Sequence, residues 1–581
     1  MSNHSIHPKS SNDTLARAMS WLTDPCRRLS VTCVVMGFAW CVIMLGRLFI
    51  GSTVGLADSG DGHRLLCQLD VAPVGQPQWA WVTPTYEAYD WKGEACSTGG
   101  SGTPYLSTQW VLLVFAKALT PVLGLPGALD LRALGVVCSL VFGLAVALLT
   151  AAMPLKIWAR TVVVCGFALA TVDSAVAPYF ISPFSEPAAL LGMLFLVAGI
   201  LRLLRGSRTT LPGLALVSAA ALWTIFAKAQ TMTLLIGVLP VMLARPVHSP
   251  RLAGAWRHLS RRFPDLGRLT AEPAGTSADG AGQLARDGAR GLAVGVLRRL
   301  PAAVMCGVIV WSTVLFAGGQ AGWLKEVYHV HQVFLTILPS SPTPEKDLRE
   351  LGVAPEMAKF AGKSFLSTTG PTSSPHYEEF LDTVDDGDIL AFWAKHPGRA
   401  AALADDGLLA LTATRPEYLG NFLNEPGKVA YAKDDSFSLT VMAFALLRPL
   451  RWIVFPGLWL GSLAVGVRLL RHRGLRAGPR GVGWVLIAMS LNTVAQFWAV
   501  LLSDGQNDIV KHMVLTLYGT LLLGPLLLAA FAATALSDDP DTDLDEGTPA
   551  ADVPWQRAGS SGALAATSPV TGAEAPGAAF P

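Results

Sequence analysis

The chain has 581 residues, of which 51% are hydrophobic and only 15% are charged, whereas soluble domains are roughly a quarter charged. A formal net charge of +2 gives no support for nucleic-acid binding, which needs a strongly basic surface. The apolar residues form runs long enough to cross about 30 Å of hydrocarbon. We therefore predict an all-α polytopic membrane protein.

The predicted elements begin with a polar N-terminus, 1–29, followed by an apolar run that is too long for a cleaved signal peptide and lacks a cleavage site. This run is interpreted as a signal anchor. The ten predicted spans are 30–50, 131–153, 158–176, 187–204, 211–227, 231–244, 300–318, 449–470, 481–502 and 511–535. A further apolar stretch, 108–125, contains Lys117 and Pro121 and is predicted to be an interfacial helix.

The distribution of charge indicates the topology. With the N-terminus in the cytoplasm, the long inside loop 245–299 has ten Arg against four acidic residues. The long outside loop 319–447 has ten basic against seventeen acidic residues. The positive-inside rule favours this arrangement, and one more span at 108–125 would invert it. Both termini are therefore expected to be cytoplasmic. The preference for Arg over Lys and the abundance of Ala, Gly and Pro favour a bacterial plasma membrane.

This topology predicts the domain organisation. Extracytoplasmic loops 56–107 and 319–447 contain many aromatic residues and are expected to fold into a large mixed or helical region. The predicted parts are a cytoplasmic N-terminus (1–29), an N-terminal transmembrane module (30–318) containing loop 56–107 and the basic cytoplasmic loop 245–299, an extracytoplasmic loop domain (319–447), a C-terminal transmembrane module (448–535) and a disordered cytoplasmic tail (536–581). Cys67 and Cys96 share the first loop, as a disulfide or as two thiols.

The first candidate site follows the first span, where residues 58–64 read Asp-Ser-Gly-Asp-Gly-His-Arg. Glycines between Asp58 and Asp61 allow a tight turn that can aim both carboxylates at one point. An acceptor hydroxyl needs such a base to take its proton as it attacks. The alternative is a solvated turn linking helix and loop. Two carboxylates are weak grounds for a divalent cation, so no metal or other cofactor is predicted.

Two further candidates lie at the outer ends of the middle spans. Glu186 precedes Pro187 at the start of a span and is interpreted first as a helix cap, with a sugar-hydroxyl contact as the alternative. Lys228 and Gln230 lie in a short outside turn. A Lys at that depth either snorkels to the interface or binds an anionic phosphate.

The fourth candidate, 503–512, joins the last two spans and contains Asp504. Asp508 is predicted to cap the tenth span, which leaves Lys511 and His512 in its first turn. Cations there oppose the helix dipole, so an anion site on a helix end is favoured over an Asp508–Lys511 surface pair. Arg47, near the outer end of the first span, is either a phosphate contact or a snorkelling anchor. The aromatic and His residues of loop 319–447 are each more simply explained by packing. No P-loop, dinucleotide or metalloprotease motif stands in a suitable context.

These pieces together resemble the GT-C class of membrane glycosyltransferases, which use polyprenyl-phosphate sugars outside the cytoplasm. More narrowly, the chain resembles bacterial glycan-biosynthesis hexosyltransferases with an Asp-Ser-Gly-Asp-Gly-type motif after the first span. The resemblance covers 30–535 as topology and 58–64, 184–187, 228–230 and 504–512 as motifs. Ala229 stands where relatives more often have Pro, and Lys511-His512 replaces a more usual Arg-His.

The resemblance implies a hexosyl- or pentosyltransferase in which Asp58 or Asp61 is the catalytic base. The residues expected to bind the donor or acceptor are Arg64, Glu186, Lys228, Gln230, Asp504, Asp508, Lys511 and His512. The implied partners are a polyprenyl-phosphate sugar, a glycan or lipid-linked acceptor of the cell envelope, and membrane lipids.

Two other functions remain open. A flippase or transporter of lipid-linked glycans would place charges along the span centres, and the predicted spans have few. A polysaccharide polymerase or ligase would need Arg and His in its outer loop, whereas loop 319–447 is mainly acidic.

Overall fold

The computed structural model describes residues 25–51, 53–54, 62–73, 84–91, 105–205, 209–248, 280–320, 322–422, 432–472 and 474–535. These residues are predominantly helical and lie in one compact unit, Met1–Ser537. The predicted tail 536–581, Cys96 and both predicted catalytic carboxylates, Asp58 and Asp61, lie outside the described residues.

The α-helices follow one another along the chain with short connections. They are α1 (Pro25–Phe49), α2 (His63–Leu66), α3 (Gln109–Val122), α4 (Leu131–Ala152), α5 (Ile157–Val172), α6 (Glu186–Leu203), α7 (Leu211–Ile225), α8 (Leu234–Leu243), α9 (Gly280–Gly318), α10 (Trp323–Val330), α11 (Pro344–Glu350), α12 (Tyr377–Thr383), α13 (Asp386–Lys395), α14 (Pro397–Ala413), α15 (Leu439–Leu447), α16 (Arg451–Arg471), α17 (Ala477–Ser503), α18 (Ile509–His512) and α19 (Val514–Ala535). A π-helix, His331–Ile337, continues α10.

Seven helical segments of the described chain are long and apolar enough to cross a membrane. They are Arg27–Phe49, Leu131–Ala152, Glu186–Leu203, Arg298–Gly318, Leu439–Arg471, Ala477–Ser503 and Val514–Ala535. These correspond to seven of the ten predicted spans. The predicted spans 158–176, 211–227 and 231–244 correspond to the shorter apolar helices Ile157–Val172, Leu211–Ile225 and Ala229–Leu243. The prediction of ten full spans is therefore confirmed only in part.

Local hydrogen bonds explain why two of these helices are short. Helix α5 has 16 residues, about 24 Å at 1.5 Å per residue. It ends at Asp173, whose carboxylate accepts hydrogen bonds from the backbone N–H groups of Ala175 (3.0 Å) and Thr440 (2.9 Å). At the end of helix α7, the hydroxyl of Thr231 shares its hydrogen between the carbonyls of Thr224 (2.7 Å) and Ile225 (2.9 Å). Polar side chains therefore terminate these helices before the apolar sequence ends.

Helix α6 lies at the centre of the membrane region and nearly all its side chains are buried. It packs against α4 and α7, and α17 packs against α16, α19 and α8. Glycines permit the closest crossings: a Cβ on Gly37 of α1 would lie 2.7 Å from the carbonyl oxygen of Gly143 on α4. Small residues at helix crossings are the usual means of close packing between transmembrane helices.

The connections predicted as extracytoplasmic contain both strands and helices, as the mixed prediction required. Strands β1 (Val71–Pro73), β2 (Thr85–Ala88) and β3 (Leu129–Asp130) form an antiparallel sheet. The short strands β4 (Thr209–Thr210) and β5 (Val247–His248) pair in parallel elsewhere. Asp130 ends β3 and caps α4 by accepting from the N–H of Arg132 at 2.8 Å. Residues 322–422 are mainly short helices, α10 to α14.

The stretch 108–125, predicted to be an interfacial helix, forms helix α3, which has 14 residues and contains Pro121. Its Lys117 side chain donates to the carbonyl of Leu69 at 2.5 Å. A helix of this length spans about 21 Å at 1.5 Å per residue, which is too short for a bilayer.

Candidate functional site

The ends of several helices meet around a cavity of about 250 Å³. Its wall combines residues from the stretch after α1, the start of α6, the turn after α7, helix α10 with its π-helical extension, and the turn between α17 and α19. The lining residues are Arg64, Leu65, Tyr105, Ser185, Glu186, Lys228, Trp323, Leu324, Val327, Tyr328, His331, Ser364, Phe365, Leu366, Asp504, Asn507, Asp508 and His512. Residues from all four sequence motifs therefore border one cavity.

Glu186 and Lys228 form an ion pair in the cavity wall. Lys228 Nζ donates to Glu186 Oε1 at 2.8 Å, and Glu186 is only 1% exposed. The prediction that Glu186 caps a helix is wrong, because Glu186 is itself the first residue of α6 and Ser185 precedes it. Snorkelling is also the wrong interpretation of Lys228. Its side chain is held inside the protein by a carboxylate that would otherwise be a buried, uncompensated charge.

The pair continues into a chain of polar side chains. His512 Nδ1 lies 3.0 Å from Lys228 Nζ, and His512 Nε2 lies 2.8 Å from Asp504 Oδ2. An ammonium group has only donors, so Nδ1 of His512 accepts and its Nε2–H donates to Asp504. The sequence suggested His512 as a second cation beside Lys511, whereas the structure places its ring between Lys228 and Asp504.

Asp504 joins the two imidazoles of this chain. Its other oxygen, Oδ1, lies 2.6 Å from His331 Nδ1. Burial raises the pKa of the Asp504 carboxyl, but the imidazoles of His512 and His331 outweigh burial and hold that pKa well below its usual range. Asp504 is therefore a carboxylate at every working pH. The chain then runs Glu186, Lys228, His512, Asp504, His331.

Gln230 supports the chain and does not border the cavity. Its side-chain Nε2 donates to the backbone carbonyl of His512 at 3.1 Å. The backbone carbonyl of Gln230 accepts from Gln496 Nε2, also at 3.1 Å. These bonds tie the turn after α7 to α17 and to the segment that carries His512. Gln230 thus positions His512 relative to Lys228.

Asp508 and Lys511 differ from their predicted roles. Asp508 precedes the four-residue helix α18 and not the tenth span, which begins at Val514. Its backbone is left-handed (φ 43°), its side chain makes no capping bond, and its carboxylate accepts from the hydroxyl of Tyr418. Lys511 is only 1% exposed, and its Nζ lies 4.3 Å from the centroid of the Phe184 ring. Lys511 is therefore not at the surface, and Asp508 does not cap the tenth span, as the two interpretations of this segment had assumed.

The opposite end of the cavity is aromatic. The guanidinium of Arg64 lies 4.8 Å from the ring centroid of Trp323 and 6.0 Å from that of Tyr105. The buried Trp323 Nε1–H has no hydrogen-bond partner within the described residues. Arg64 belongs to the motif 58–64, so the described end of that motif lies in the cavity wall. The wall therefore has an ionic end and an aromatic end.

Next to Arg64, the ring of His63 packs edge-on against Trp91 with 4.5 Å between centroids. Burial lowers the pKa of His63, and the neighbouring Arg64 lowers it further. A second side chain of the first span region, Arg47, forms an ion pair with Asp434. This ion pair accounts for Arg47 without a phosphate contact or a snorkelling anchor.

The sequence did not single out His331 or Tyr418, which contact Asp504 and Asp508. Both belong to loop 319–447, and packing explains the aromatic and His residues of that loop equally well. The one local signal is the backbone, because His331 opens a π-helix, a rare element that frequently marks functional sites. Gln332 on the same element donates to the carbonyl of Leu501 at 2.8 Å and so attaches the loop to the end of α17.

Metal binding finds no support in the described part of the chain, where no group of three or more His, Cys, Asp or Glu side chains is placed to hold an ion. A cation at Asp58 and Asp61 would lie outside those residues.

Comparison with known proteins gives one result. Residues 16–542 match the family model described as the YfdI N-terminal transmembrane domain, and no curated protein or solved structure matches the chain. With seven helices long enough to cross a bilayer, the match shows an integral membrane protein. The chain belongs to the family of the YfdI N-terminal transmembrane domain.

Proposed function

We propose that this protein is a GT-C-type membrane glycosyltransferase that moves a sugar from a polyprenyl-phosphate donor to a cell-envelope acceptor on the extracytoplasmic face. One observation carries the proposal. Motif residues that are far apart in sequence border a single cavity of about 250 Å³ at the ends of apolar helices. A cavity at that depth suits a substrate whose reacting group is tethered to a membrane lipid.

Two cations of the cavity wall suit a phosphate leaving group, and the carboxylates of Glu186, Asp504 and Asp508 border the cavity beside them. Lys228 and Arg64 border it, and both are cations that bind phosphate oxygens. In the proposed inverting reaction, Asp58 or Asp61 takes the proton of the acceptor hydroxyl, and that oxygen forms a bond to the anomeric carbon. The bond from this carbon to the phosphate oxygen breaks, and the electron pair leaves with the polyprenyl phosphate. Its charge rises from one to two negative, which the cations stabilise.

The location also favours a lipid-carried donor. Nucleotide sugars are made in the cytoplasm, so an enzyme whose site faces outward needs a sugar delivered on a lipid. The short apolar helix α3, which starts four residues after the cavity residue Tyr105, is suited to lie along the membrane surface. A cavity next to such a helix would lie near the interface where a lipid phosphate resides, which supports the proposal.

The test is sugar transfer from a polyprenyl-phosphate sugar in membranes containing Asp58→Asn or Asp61→Asn variants. Loss of a general base lowers the rate about 100- to 10,000-fold, so at least one variant should show this loss. Asp382→Asn is the matched control, because Asp382 is an exposed carboxylate of α12 that does not border the cavity. Full activity in both Asp58→Asn and Asp61→Asn would refute the assignment.

A polysaccharide ligase or polymerase is the second candidate, and His331 is the observation that favours it. This His comes from the large loop and borders the cavity, as a ligase mechanism would require. The two functions differ in the donor: a ligase transfers a preassembled glycan, whereas a glycosyltransferase transfers one sugar. Glycan chain-length analysis of the reaction product separates them. A transporter is less favoured, since the predicted spans have few charged residues along their centres.

A further inference from the structure

We propose that His331 is the proton donor to the departing lipid phosphate, which would make it a second catalytic residue, supplied by the large loop. This inference rests on the proposed function and adds to it. It begins from the position of the side chain, which is only 5% exposed overall yet borders the cavity. Buried imidazoles that line a cavity are placed for chemistry when a partner fixes one ring nitrogen and leaves the other toward the substrate.

Asp504 provides that partner. Its Oδ1 accepts from His331 Nδ1–H at 2.6 Å, which orients the ring. Within the described residues, no hydrogen bond engages the other ring nitrogen, Nε2. Since Nδ1 is committed to Asp504, Nε2 is the atom available to a ligand in the cavity. The negative charge of Asp504 compensates the positive charge of the ring when Nε2 is protonated.

The other end of the chain explains why His331, and not His512, takes this role. Both nitrogens of His512 are engaged, Nδ1 by Lys228 and Nε2 by Asp504. Neither can bind substrate without breaking a bond in the chain. His512 therefore bridges Lys228 and Asp504, whereas His331 has one ring nitrogen, Nε2, that can bind substrate.

The proton transfer is chemically matched. When the anomeric C–O bond breaks, the electron pair moves to the phosphate oxygen, and the lipid phosphodiester becomes a phosphomonoester. The second pKa of such an ester is about 6, so the departing oxygen can accept a proton. Nε2–H of His331 gives its proton to this oxygen, while the acceptor proton goes to Asp58 or Asp61. Solvent then returns the proton from the carboxyl group to His331, and the cycle closes.

Several other titratable groups face this site, and a pH profile has to be read against them. Asp504 contacts His331 directly, and His329 two residues earlier pairs with Asp386 at 3.0 Å. The remaining charged or titratable groups of the cavity wall are Arg64, Tyr105, Glu186, Lys228, Tyr328, Asp508 and His512.

The test compares His331→Gln with His329→Gln, a matched control because His329 is equally buried and also pairs with an Asp, but does not border the cavity. Both are assayed for sugar transfer from polyprenyl-phosphate sugar between pH 5.5 and about 9. We expect His331→Gln to lower kcat by about 100-fold or more, with KM within about threefold, and to lose the alkaline fall in rate that a proton donor causes. His329→Gln should keep both the rate and the pH profile.

Two results would overturn the assignment. One is a kcat for His331→Gln within threefold of the parent protein. The other is a raised KM with the alkaline fall retained, which would mean that His331 only binds the donor. If either result is found while Asp58→Asn or Asp61→Asn abolishes sugar transfer, the role of His331 is refuted and the proposed function stands. Absence of transfer by the parent protein would instead refute the proposed function.

Discussion

The ion pair between Glu186 and Lys228 allows a test that separates folding from catalysis. Glu186 is 1% exposed, and Lys228 Nζ lies 2.8 Å from its Oε1. Removing one member of a buried pair leaves the other charge uncompensated, at a cost of about 3–5 kcal/mol in the free energy of unfolding. Lys228→Met alone should therefore destabilise the protein by about this amount.

The double variant Glu186→Gln/Lys228→Met removes both charges. Its cost should be smaller than that of Lys228→Met, because no buried carboxylate is left without a partner. The lost hydrogen bond from Lys228 to His512 leaves a residual cost of about 1 kcal/mol. Activity should not recover with stability, since the cation that binds phosphate is absent in both variants.

The measurement is the free energy of unfolding in detergent micelles from a denaturant titration followed by tryptophan fluorescence, alongside sugar transfer in membranes. Lys117→Met is the control, because Lys117 of α3 donates to the backbone carbonyl of Leu69 and forms no ion pair within the described part of the chain. Its cost should be about 1 kcal/mol. Additive effects of Glu186→Gln and Lys228→Met in the double variant would show that the two side chains are not coupled and refute the reasoning.

Two other predictions concern the polar turn and the first loop. Gly505 has φ +62°, and a Cβ added there would overlap Thr336 Oγ1. Gly505→Ala should therefore lower the free energy of unfolding by about 2–5 kcal/mol. Gly524→Ala is the control and should not lower it, because the space around Gly524 is open. Equal unfolding midpoints for the two variants would contradict this. The folded-state pKa of His63 lies below 6.5, so the unfolded chain binds a proton first and stability should fall as the pH drops below about 6.5. Between pH 7 and pH 5, the midpoint of thermal unfolding should decrease less for His63→Phe than for the parent protein. An equal decrease in both proteins would exclude His63 as the source of the pH dependence.

Much of the candidate site was predictable because its members share a local property. Arg64, Glu186, Lys228, Asp504, Asp508 and His512 are polar residues at the ends of apolar segments, and all six border the cavity. Apolar length and charge bias place such residues on one side of a membrane. Two predicted members, Gln230 and Lys511, lie behind the wall and not in it, because side-chain direction at a helix end is not visible in the order of the residues.

The roles within the site were less predictable. A carboxylate before a helix is usually a cap, and this rule fails at Glu186 and Asp508, because a cation and a tyrosine from other segments bind them instead. His331 is indistinguishable in sequence from the other His residues of its loop. Only its contact with Asp504, 173 residues away in the chain, makes it different.

The sequence by itself determined the membrane class, seven of the spans and six of the residues that border the cavity, since each follows from hydropathy and charge along a short stretch. Tertiary structure decided how long the remaining helices are, through Asp173 and Thr231, and which polar groups pair. Lys228 and His512 lie 284 residues apart, and their bond exists only because folding brings the turn after α7 next to α18, where Gln230 also bonds the backbone of His512. A buried charge binds whatever partner folding brings within reach, so the chain from Glu186 to His331 is a property of the packed helices.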